Sequence, residues 1–456
     1  METTEIFPEF GQLDVRRRNR IRSPKRGGSS TIDSIPYLKD LGITIEESTQ
    51  PIQFTSNINE KIHRWAPYVQ GFSATFVQRI FDKYKCDYKK PVILDPFAGC
   101  GTVLVQAKIN GFKSFGTELN PLLQFIAQKK LNSWDVSPTT LLKMQQNMPK
   151  AEPYPAPSFL KSTSQFNPGV LANLELLKGR IYSIKPRTQK QKKAKDLLKL
   201  AFSAILVDCS NLKRAPCLGY YKNKMVLDSA PFALFNKKVN EIADDLHLIQ
   251  NQLKEYINTS SNVVLANAIA FRHSHMFDLM LTSPPYMNGL DYVMNYKIEM
   301  GWLDFVDEQK DLKSIKDSMV VCDNVSKGLI RDFSKDQETY TNDWIENIKR
   351  KIVANIKKRG AYRRHDMPNI VHKYFDDMYK VMRTVVTKLK PGGRFILVVG
   401  DSLIADVYVP TDLLIARIGL DLGLNIEKIE KARDRRSGQI RSYRLRESII
   451  TLIKDR

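Results

Sequence analysis

The chain has 456 residues, of which 42% are hydrophobic and 26% charged, a composition typical of a soluble globular protein of two or three domains, or of one domain with large insertions. No apolar run is long enough to span a bilayer and the first residues lack a signal pattern, so we expect a cytoplasmic protein without a membrane partner. Five scattered cysteines without Cys-x-x-Cys spacing argue against a disulfide framework or a structural zinc site.

The formal net charge of +22 is unevenly distributed. Basic residues greatly outnumber acidic ones in four stretches, at residues 16–26, 185–224, 346–365 and 431–446, and the rest of the chain is net negative. A single basic stretch can be an ordinary solvated face, but four of them favour a polyanionic partner. The charge pattern therefore predicts that the chain binds nucleic acid.

The first half of the chain opens with a basic arm and then changes to a pattern of alternating strands and helices. Residues 16–26 have almost no apolar content, whereas residues 58–84 have apolar side chains at helical spacing. Residues 92–95 and 113–118 read as buried strands, each followed by a helical pattern. Strand, loop, helix, strand and acid in this order predict the start of a doubly wound α/β sheet.

The second half alternates between irregular segments and further strands. Residues 136–260 contain a proline-rich loop from 149 to 168 and two helical patterns, near 190–207 and 240–257. Strands are predicted at 262–267 and at 277–282. A polar helical segment at 305–365 precedes a helix at 370–389, a strand at 394–400, and two strands at 425–431 and 448–453. The two irregular segments read as insertions in the sheet domain.

A glycine-bearing loop follows the first strand, in the sequence Asp95-Pro96-Phe97-Ala98-Gly99-Cys100-Gly101-Thr102. Glycines there let the backbone pass close to a ligand at a helix N-terminus. Glu118 follows Asp95 by 23 residues, at a strand end where an acid can bind the two hydroxyls of a ribose. An ordinary helix cap is the alternative reading of Glu118.

A second motif, Thr282-Ser283-Pro284-Pro285-Tyr286, ends the strand at 277–282. The prolines have no N–H to offer a neighbouring strand, so the carbonyls near them lack regular partners. Ser283 and the carbonyl of Pro284 can accept the two hydrogens of an exocyclic amine, while Tyr286 stacks on the ring that carries it. A structural turn is the alternative reading of this motif.

Together, Asp-Pro-Phe-x-Gly-x-Gly-Thr and Thr-Ser-Pro-Pro-Tyr resemble the S-adenosylmethionine-dependent DNA amino-methyltransferases, in the cytosine-N4-specific type found in restriction-modification systems. The resemblance covers residues 58–135, 262–303 and 370–456 and implies an α/β fold, a Rossmann-like class I methyltransferase sheet with two helical or irregular insertions. The predicted domains are a basic N-terminal arm at 1–50, a catalytic domain at 51–135 plus 261–304 plus 366–456, and insertions at 136–260 and 305–365 as candidate DNA-recognition regions.

The resemblance also assigns roles to individual residues. The catalytic motif would be Ser283, Pro284, Pro285 and Tyr286. The residues that would bind S-adenosylmethionine are Phe72, Asp95, Phe97, Gly99, Gly101, Thr102, Glu118 and Asn267. Asn267 stands where the family usually has an acid near the adenine amine, and its side-chain carbonyl oxygen can still accept from that amine. No metal is implied.

The expected reaction is direct transfer of a methyl group to the N4 amine of a cytosine flipped out of double-stranded DNA, with a cognate restriction endonuclease as a functional partner. Adenine-N6 methylation is the nearest alternative, because the glycine loop precedes the Ser-Pro-Pro-Tyr motif here whereas many cytosine-N4 enzymes have the reverse order. RNA guanine-N2 methylation and a non-catalytic nucleic-acid-binding role also stay open. The sequence sets neither the recognition site nor the oligomeric state.

Overall fold

The computed structural model describes residues 28–48, 57–66, 71–84, 90–214, 217–288, 291–322, 324–360, 364–437 and 442–456, together with the single residues 52, 68, 87, 88, 362 and 440. The basic stretch at residues 16–26, within the predicted N-terminal arm, lies outside the described residues. No helix in the described part of the chain is both long enough and apolar enough to cross a membrane.

The described residues form strands β1 (Ile45–Glu47), β2 (Val92–Asp95), β3 (Lys113–Glu118), β4 (Leu212–Arg214), β5 (Leu218–Tyr220), β6 (Ser261–Leu265), β7 (Phe277–Thr282), β8 (Leu389–Gly400), β9 (Ser402–Ile404), β10 (Val407–Val409), β11 (Leu424–Arg436) and β12 (Arg444–Lys454).

They also form helices α1 (Ser30–Asp33), α2 (Ile35–Leu41), α3 (Ala74–Tyr84), α4 (Thr102–Ile109), α5 (Pro121–Asn132), α6 (Pro138–Gln146), α7 (Ser162–Gln165), α8 (Pro168–Tyr182), α9 (Gln189–Ile205), α10 (Ala230–Gln252), α11 (Tyr292–Asn295), α12 (Lys297–Trp302), α13 (Gln309–Asp317), α14 (Lys327–Phe333), α15 (Asp343–Arg359), α16 (Met367–Val386) and α17 (Thr411–Asp421).

Eight of the strands form one sheet in the order β1-β11-β12-β8-β7-β2-β3-β6. Strands β6, β3, β2, β7 and β8 are parallel, and β12 is antiparallel to both of its neighbours. The chain winds outward from β2 through β3 to β6 and then crosses to β7 on the other side of β2. The strand order therefore reverses between β2 and β7, where open α/β sheets bind their ligands. This topology confirms the predicted Rossmann-like α/β sheet.

Both faces of the sheet are covered because its buried strands alternate between two apolar cores. On β7, Leu279 and Leu281 belong to the core that contains α3 and α4, whereas Met280 belongs to the core that contains α16 and α17. On β8, Ile396 and Val398 face the first core in the same way. Side chains along a strand alternate with a period of two, which explains why these strands read as continuous apolar runs.

The helices of the predicted insertions pack onto the sheet domain. Helices α6, α8, α9 and α10 share one apolar core with Leu104 and Val105 of α4 and with Leu122 of α5. Helix α15 shares the core of α16 through its buried face, which includes Ile348 and Ile352. The domain boundaries given above stay a prediction.

The prediction of one continuous helical segment from 58 to 84 was wrong, because the helix begins only at Ala74. Ile62 has a left-handed φ of 68°, and a single 3₁₀ turn follows it at His63–Trp65. This segment is held by Asp245 of α10, whose carboxylate accepts hydrogen bonds from the Ile62 N–H at 2.9 Å and from Trp65 Nε1 at 2.9 Å. A contact across about 180 residues of chain overrides the local helical pattern.

The expectation that residues 149–168 mark a loop holds only in part, because the one-turn helix α7 (Ser162–Gln165) interrupts the loop before its last proline. Pro168 occupies the first turn of α8, which runs to Tyr182 and was not predicted. A proline is well tolerated there because the first N–H groups of a helix have no intrahelical partner.

Candidate active site

An open cleft lies at the carboxyl ends of the parallel strands, and its empty space of about 860 Å³ includes the solvent at its mouth. Nine of the twelve predicted site residues line the cleft: Phe72, Asp95, Phe97, Gly99, Thr102, Glu118, Asn267, Ser283 and Pro285. They come from segments up to 213 residues apart in the chain and meet because their strands end at one edge of the sheet.

Asp95 ends β2 and connects it to β7 through its carboxylate. Its Oδ1 accepts a hydrogen bond from the Thr282 hydroxyl at 2.6 Å and another from the Phe97 N–H at 3.1 Å. Burial raises the pKa of Asp95 to about 7, although these two hydrogen bonds oppose the shift and nearby Glu118 adds to it. The loop after β2 and the motif after β7 are therefore fixed to each other.

Glu118 ends β3 and organises the glycine loop from the neighbouring strand. Its Oε2 accepts the Gly99 N–H at 2.8 Å and its Oε1 accepts the Asn120 N–H at 2.8 Å. Burial raises the pKa of Glu118, although the hydrogen bonds from backbone N–H groups oppose part of this shift. Each oxygen of a carboxylate has a second lone pair, so Glu118 can still accept hydrogen bonds from a ligand in the cleft.

The two glycines of the loop have different surroundings. Both have positive φ, 52° at Gly99 and 84° at Gly101, a region that L side chains rarely adopt. Gly99 lines the cleft beside the Tyr68 ring. Gly101 does not line it, because it precedes α4 and packs against Ala127, where a Cβ would come within 2.9 Å of the Ala127 Cβ.

Ser283 follows β7, and its hydroxyl donates a hydrogen bond to the protein backbone. Its Oγ donates to the carbonyl of Val398 on β8 at 3.2 Å. A hydroxyl has one proton and two lone pairs, so this bond leaves Ser283 as a hydrogen-bond acceptor toward the cleft. The Pro284 carbonyl receives no hydrogen bond from the described residues. Of the predicted acceptor pair, Ser283 lines the cleft and Pro284 does not.

Tyr286 lies next to the cleft and is held at both ends. Its hydroxyl donates to Glu447 Oε1 on β12 at 2.7 Å, and its backbone N–H donates to the Tyr292 hydroxyl at 3.4 Å. Burial raises the pKa of Tyr286 well above its usual value, and Glu447 raises it further. The Arg435 guanidinium lies over the Tyr286 ring, 5.0 Å from its centroid. Any group that stacks on that face must displace Arg435.

Asn267 and Phe72 both line the cleft but also have structural contacts. Asn267 Oδ1 accepts the Ile269 N–H at 2.9 Å, and its Nδ2 donates to the Ser318 carbonyl at 2.8 Å. Phe72 is 6% exposed and packs edge-on against Phe76 at 5.4 Å. Phe72 therefore belongs partly to the apolar core and partly to the cleft.

Several residues that line the cleft were not assigned to the site from the sequence, among them Tyr68, Asn120, Tyr292 and Val320. Asn120 caps α5 through its Oδ1, and its buried Nδ2 has no hydrogen-bond partner among the described residues. The sequence could have revealed Asn120, because it follows Glu118 by two residues and precedes the Pro121 that starts a helix. Tyr68, Tyr292 and Val320 reach the cleft through long-range packing, which leaves no local signal.

Some residues counted in the basic stretches are buried in ion pairs. Arg446 is 2% exposed and its guanidinium lies between Asp412 at 3.1 Å and Asp401 at 3.5 Å. Arg214 pairs with Glu299 at 2.6 Å, and both side chains are nearly buried. These arginines stabilise the fold, so fewer cations face solvent than the sequence count suggests. Among the residues that the structure describes, no group of three or more His, Cys, Asp and Glu side chains could hold a metal ion.

Comparison with known proteins gives relatives that are all type II methyltransferases. The chain is 25% identical over 432 residues to M.BsoBI of Geobacillus stearothermophilus, an alignment that covers 84% of this chain and 83% of that one. It is 24% identical over 415 residues to M.AvaI of Nostoc sp., with the same coverage, and 22% identical to M.MvaI of Kocuria varians, covering 82% of this chain and 84% of that one.

No protein-family model matches the chain. A solved structure, that of the rRNA methyltransferase aviRa from Streptomyces viridochromogenes, aligns over 85% of this chain and 87% of that one at 9% identity with a TM-score of 0.29, which is too low to bear on the fold.

Proposed function

We propose that the chain is a site-specific DNA methyltransferase that uses S-adenosylmethionine and methylates the N4 amine of cytosine within a restriction-modification system. The observation that carries this proposal is Ser283, whose proton is bonded to Val398 and whose lone pairs lie at the cleft, one strand away from the Asp95–Glu118 loop. An amine acceptor and an open cleft meet at the strand-order reversal. The similarity to type II methyltransferases supports the same reaction class.

The cleft suits S-adenosylmethionine by the chemistry of its walls. Glu118 offers carboxylate lone pairs for ribose hydroxyls, and the buried Asn120 Nδ2 is a donor with no partner among the described residues. Gly99 keeps the loop backbone open to a ligand, since a Cβ there would crowd Tyr68 at 3.2 Å. When bound, S-adenosylmethionine supplies an electrophilic methyl group on a sulfonium.

The chain's own contribution to methyl transfer is to make a weak nucleophile reactive and to orient it. The lone pair of an exocyclic amine is delocalised into its ring. Hydrogen bonds from the amine to Ser283 Oγ and to the Pro284 carbonyl favour a tetrahedral nitrogen, which localises that lone pair on the side away from the acceptors. Positioning and preorganised acceptors of this kind supply the catalysis without a covalent intermediate.

Tyr286 provides the surface for the base. A base inside a duplex cannot reach a cleft at the edge of a sheet, so the target must leave the stack. The bond from the Tyr286 hydroxyl to Glu447 fixes the ring plane, and stacking on it offsets part of the cost of base flipping.

Duplex DNA, a polyanion, is the substrate that matches the positive net charge of the chain and its basic stretches. The basic stretch at 431–446 reaches the site through Arg435, which lies over Tyr286. Cations near the target base position the phosphate backbone. Since its relatives are type II methyltransferases, we expect a cognate restriction endonuclease that recognises the same sequence.

The proposal is tested by expressing the chain in cells that lack DNA methylation, digesting their DNA to nucleosides and separating the products by mass spectrometry. We expect N4-methylcytosine, and long-read sequencing of the same DNA gives its sequence context. N6-methyladenine instead would overturn the choice of base but keep the reaction class. Methylated RNA without methylated DNA, or no methylation although S-adenosylmethionine binds, would overturn the proposal.

A further inference from the structure

We infer that strands β4 and β5 and the loop after them, at residues 212–214 and 217–229, contact duplex DNA beside the flipped base. We call these described residues the hairpin arm. The inference rests on the proposed function, and it chooses between the two insertions as the one that touches DNA next to the cleft.

The hairpin arm exposes apolar side chains at an unusual density. Among the described residues it contains the two most exposed large apolar side chains, Met225 at 92% and Leu227 at 75%, and next to them Tyr220 at 61% and Tyr221 at 53%. Single exposed apolar residues are ordinary, but a group of them on a soluble protein marks an interaction surface.

Cations lie among these apolar side chains. Lys213 and Lys222 are exposed, and the Lys213 ammonium lies 4.9 Å from the centroid of the Tyr221 ring. The core of a protein–protein interface is depleted in lysine, whereas lysine beside aromatic and aliphatic side chains suits phosphates and unstacked bases. This combination favours DNA as the partner.

The hairpin arm is anchored to the helix that follows the catalytic motif. Arg214 donates to the Asn295 carbonyl at 2.7 Å, and the Leu218 N–H donates to Asn295 Oδ1 at 2.7 Å. Asn295 ends α11, and Tyr292 at the start of that helix lines the cleft and bonds to the backbone of Tyr286. Residues three apart on a helix are neighbours, so the part of the arm at Arg214 and Leu218 is one helical turn from the cleft.

The arm is also held firmly enough to act on DNA as a preformed element. Lys224 donates to the carbonyls of Val207 and Leu212 at 2.8 and 2.9 Å, and the Tyr221 N–H donates to the Asn211 carbonyl at 3.0 Å. Its apolar side chains are therefore presented to solvent by an anchored backbone. An apolar wedge on a fixed support, beside lysines, is a device that unstacks base steps.

Two double variants test the two parts of the arm. In Lys213→Ala/Lys222→Ala we expect at least tenfold weaker binding of a cognate duplex at low salt and a salt dependence reduced by about two phosphate contacts. In Met225→Ala/Leu227→Ala we expect about tenfold weaker duplex binding with an unchanged salt slope. Lys39→Ala/Leu420→Ala, on α2 and α17 at the other end of the sheet, is the matched control and should bind as the unchanged protein does.

Binding is measured by fluorescence anisotropy of a labelled duplex at two salt concentrations, and S-adenosylmethionine affinity by calorimetry on the same samples. Unchanged cofactor affinity shows that each variant is folded. If both arm variants bind the duplex within twofold of a parent protein that methylates DNA, the inference is wrong. If instead they change only the oligomeric state, the arm is a protein interface and the inference is also wrong. A parent protein that methylates no DNA contradicts the proposed function, a separate result.

Discussion

At the scale of single residues, Ser283 is the side chain on which the proposed chemistry depends most directly. Replacement by alanine removes one amine acceptor and, inside the fold, only the bond to Val398. We expect Ser283→Ala to lower kcat by about 10²-fold, in the range found when one preorganised hydrogen bond to a reacting group is removed. S-adenosylmethionine affinity and thermal stability should stay near those of the unchanged protein.

Single-turnover methyl transfer to a cognate duplex measures this effect. Ser283→Thr keeps the hydroxyl and is the matched variant, so it should retain more activity than Ser283→Ala. Equal loss in both variants would show that the size of the side chain matters and not its hydroxyl.

Two substitutions of Tyr286 distinguish the stacking role of its ring from the hydrogen bond of its hydroxyl to Glu447. Tyr286→Phe loses the hydrogen bond to Glu447 but keeps the ring, so we expect a decrease in kcat/KM of less than tenfold. Tyr286→Ala loses the stacking surface, which is worth about 1–3 kcal/mol per base, and should lower kcat/KM by roughly 10- to 100-fold. Steady-state kinetics with duplex DNA test both values, and a larger loss in the phenylalanine variant would contradict the stacking role.

Asp95 makes stability depend on pH. Its folded-state pKa of about 7 is above the ordinary value of 3.8, so between these pH values the folded state keeps a proton that the unfolded state has lost. The contribution of Asp95 to stability is therefore greatest below the ordinary pKa and falls as pH rises toward 7. Asp95→Asn keeps an oxygen that can accept from Thr282 and Phe97 and does not titrate.

We therefore expect the stability of Asp95→Asn, relative to the unchanged protein, to increase from pH 5 to pH 7 by at most about 1.4 kcal/mol per pH unit. Urea unfolding at several pH values measures the difference. Asp336→Asn, at an exposed position, is the control for the substitution itself. A pH-independent difference for Asp95→Asn would place its folded-state pKa near the ordinary value.

At the scale of elements, the loop between β2 and α4 is determined by its glycines. Gly101→Ala combines a φ of 84° with a Cβ only 2.9 Å from Ala127, so we expect a loss of about 1–3 kcal/mol in unfolding free energy. Gly219→Ala is the control, because a Cβ there meets nothing within 4 Å, and its effect should be within about 0.5 kcal/mol. Chemical denaturation measures both, and equal effects would contradict the packing role of Gly101.

Strands β2 and β7 could be predicted from the sequence because each is a buried apolar run that ends in a recognisable polar residue, and their ends supplied most of the site. Strand β1 was not predicted, because it is short and mostly exposed. The segment before Ala74 could not be predicted, since its conformation depends on Asp245 from a distant helix. Tyr292 and Val320 were missed as site residues because they too reach their place, the cleft, through packing with distant parts of the chain.

At the scale of the whole molecule, one buried carboxylate connects α10, in the predicted first insertion, to the segment before α3. Asp245 on α10 is 1% exposed and binds Arg64 at 2.6 Å as well as the backbone and indole of the same segment. Asp245→Ala leaves these donors unpaired inside the protein. We expect it to lower the unfolding free energy by about 3–5 kcal/mol, the usual cost of removing one partner of a buried ion pair.

Asp244→Ala, at the exposed neighbouring position, is the control and should change stability by less than about 0.5 kcal/mol. Because the insertion helices share a core with α4 and α5, the unchanged protein should unfold in one transition. Calorimetry together with near-ultraviolet circular dichroism tests this, and a separate early transition in the parent would contradict the shared core.

The long-range bonds of the site also set when it can form during synthesis. The hydrogen bonds from Thr282 to Asp95, from Ser283 to Val398 and from Tyr286 to Glu447 can form only after both partners of each have been synthesised. Glu447 is made about 350 residues after Asp95. At 5–20 residues per second, the ribosome needs roughly 20–70 s to make that stretch. A nascent chain can therefore fold its early strands but carries no complete site, so interrupted translation yields inactive chains. In a cell that also makes a cognate nuclease, protection of the DNA would begin only after β12 has left the ribosome.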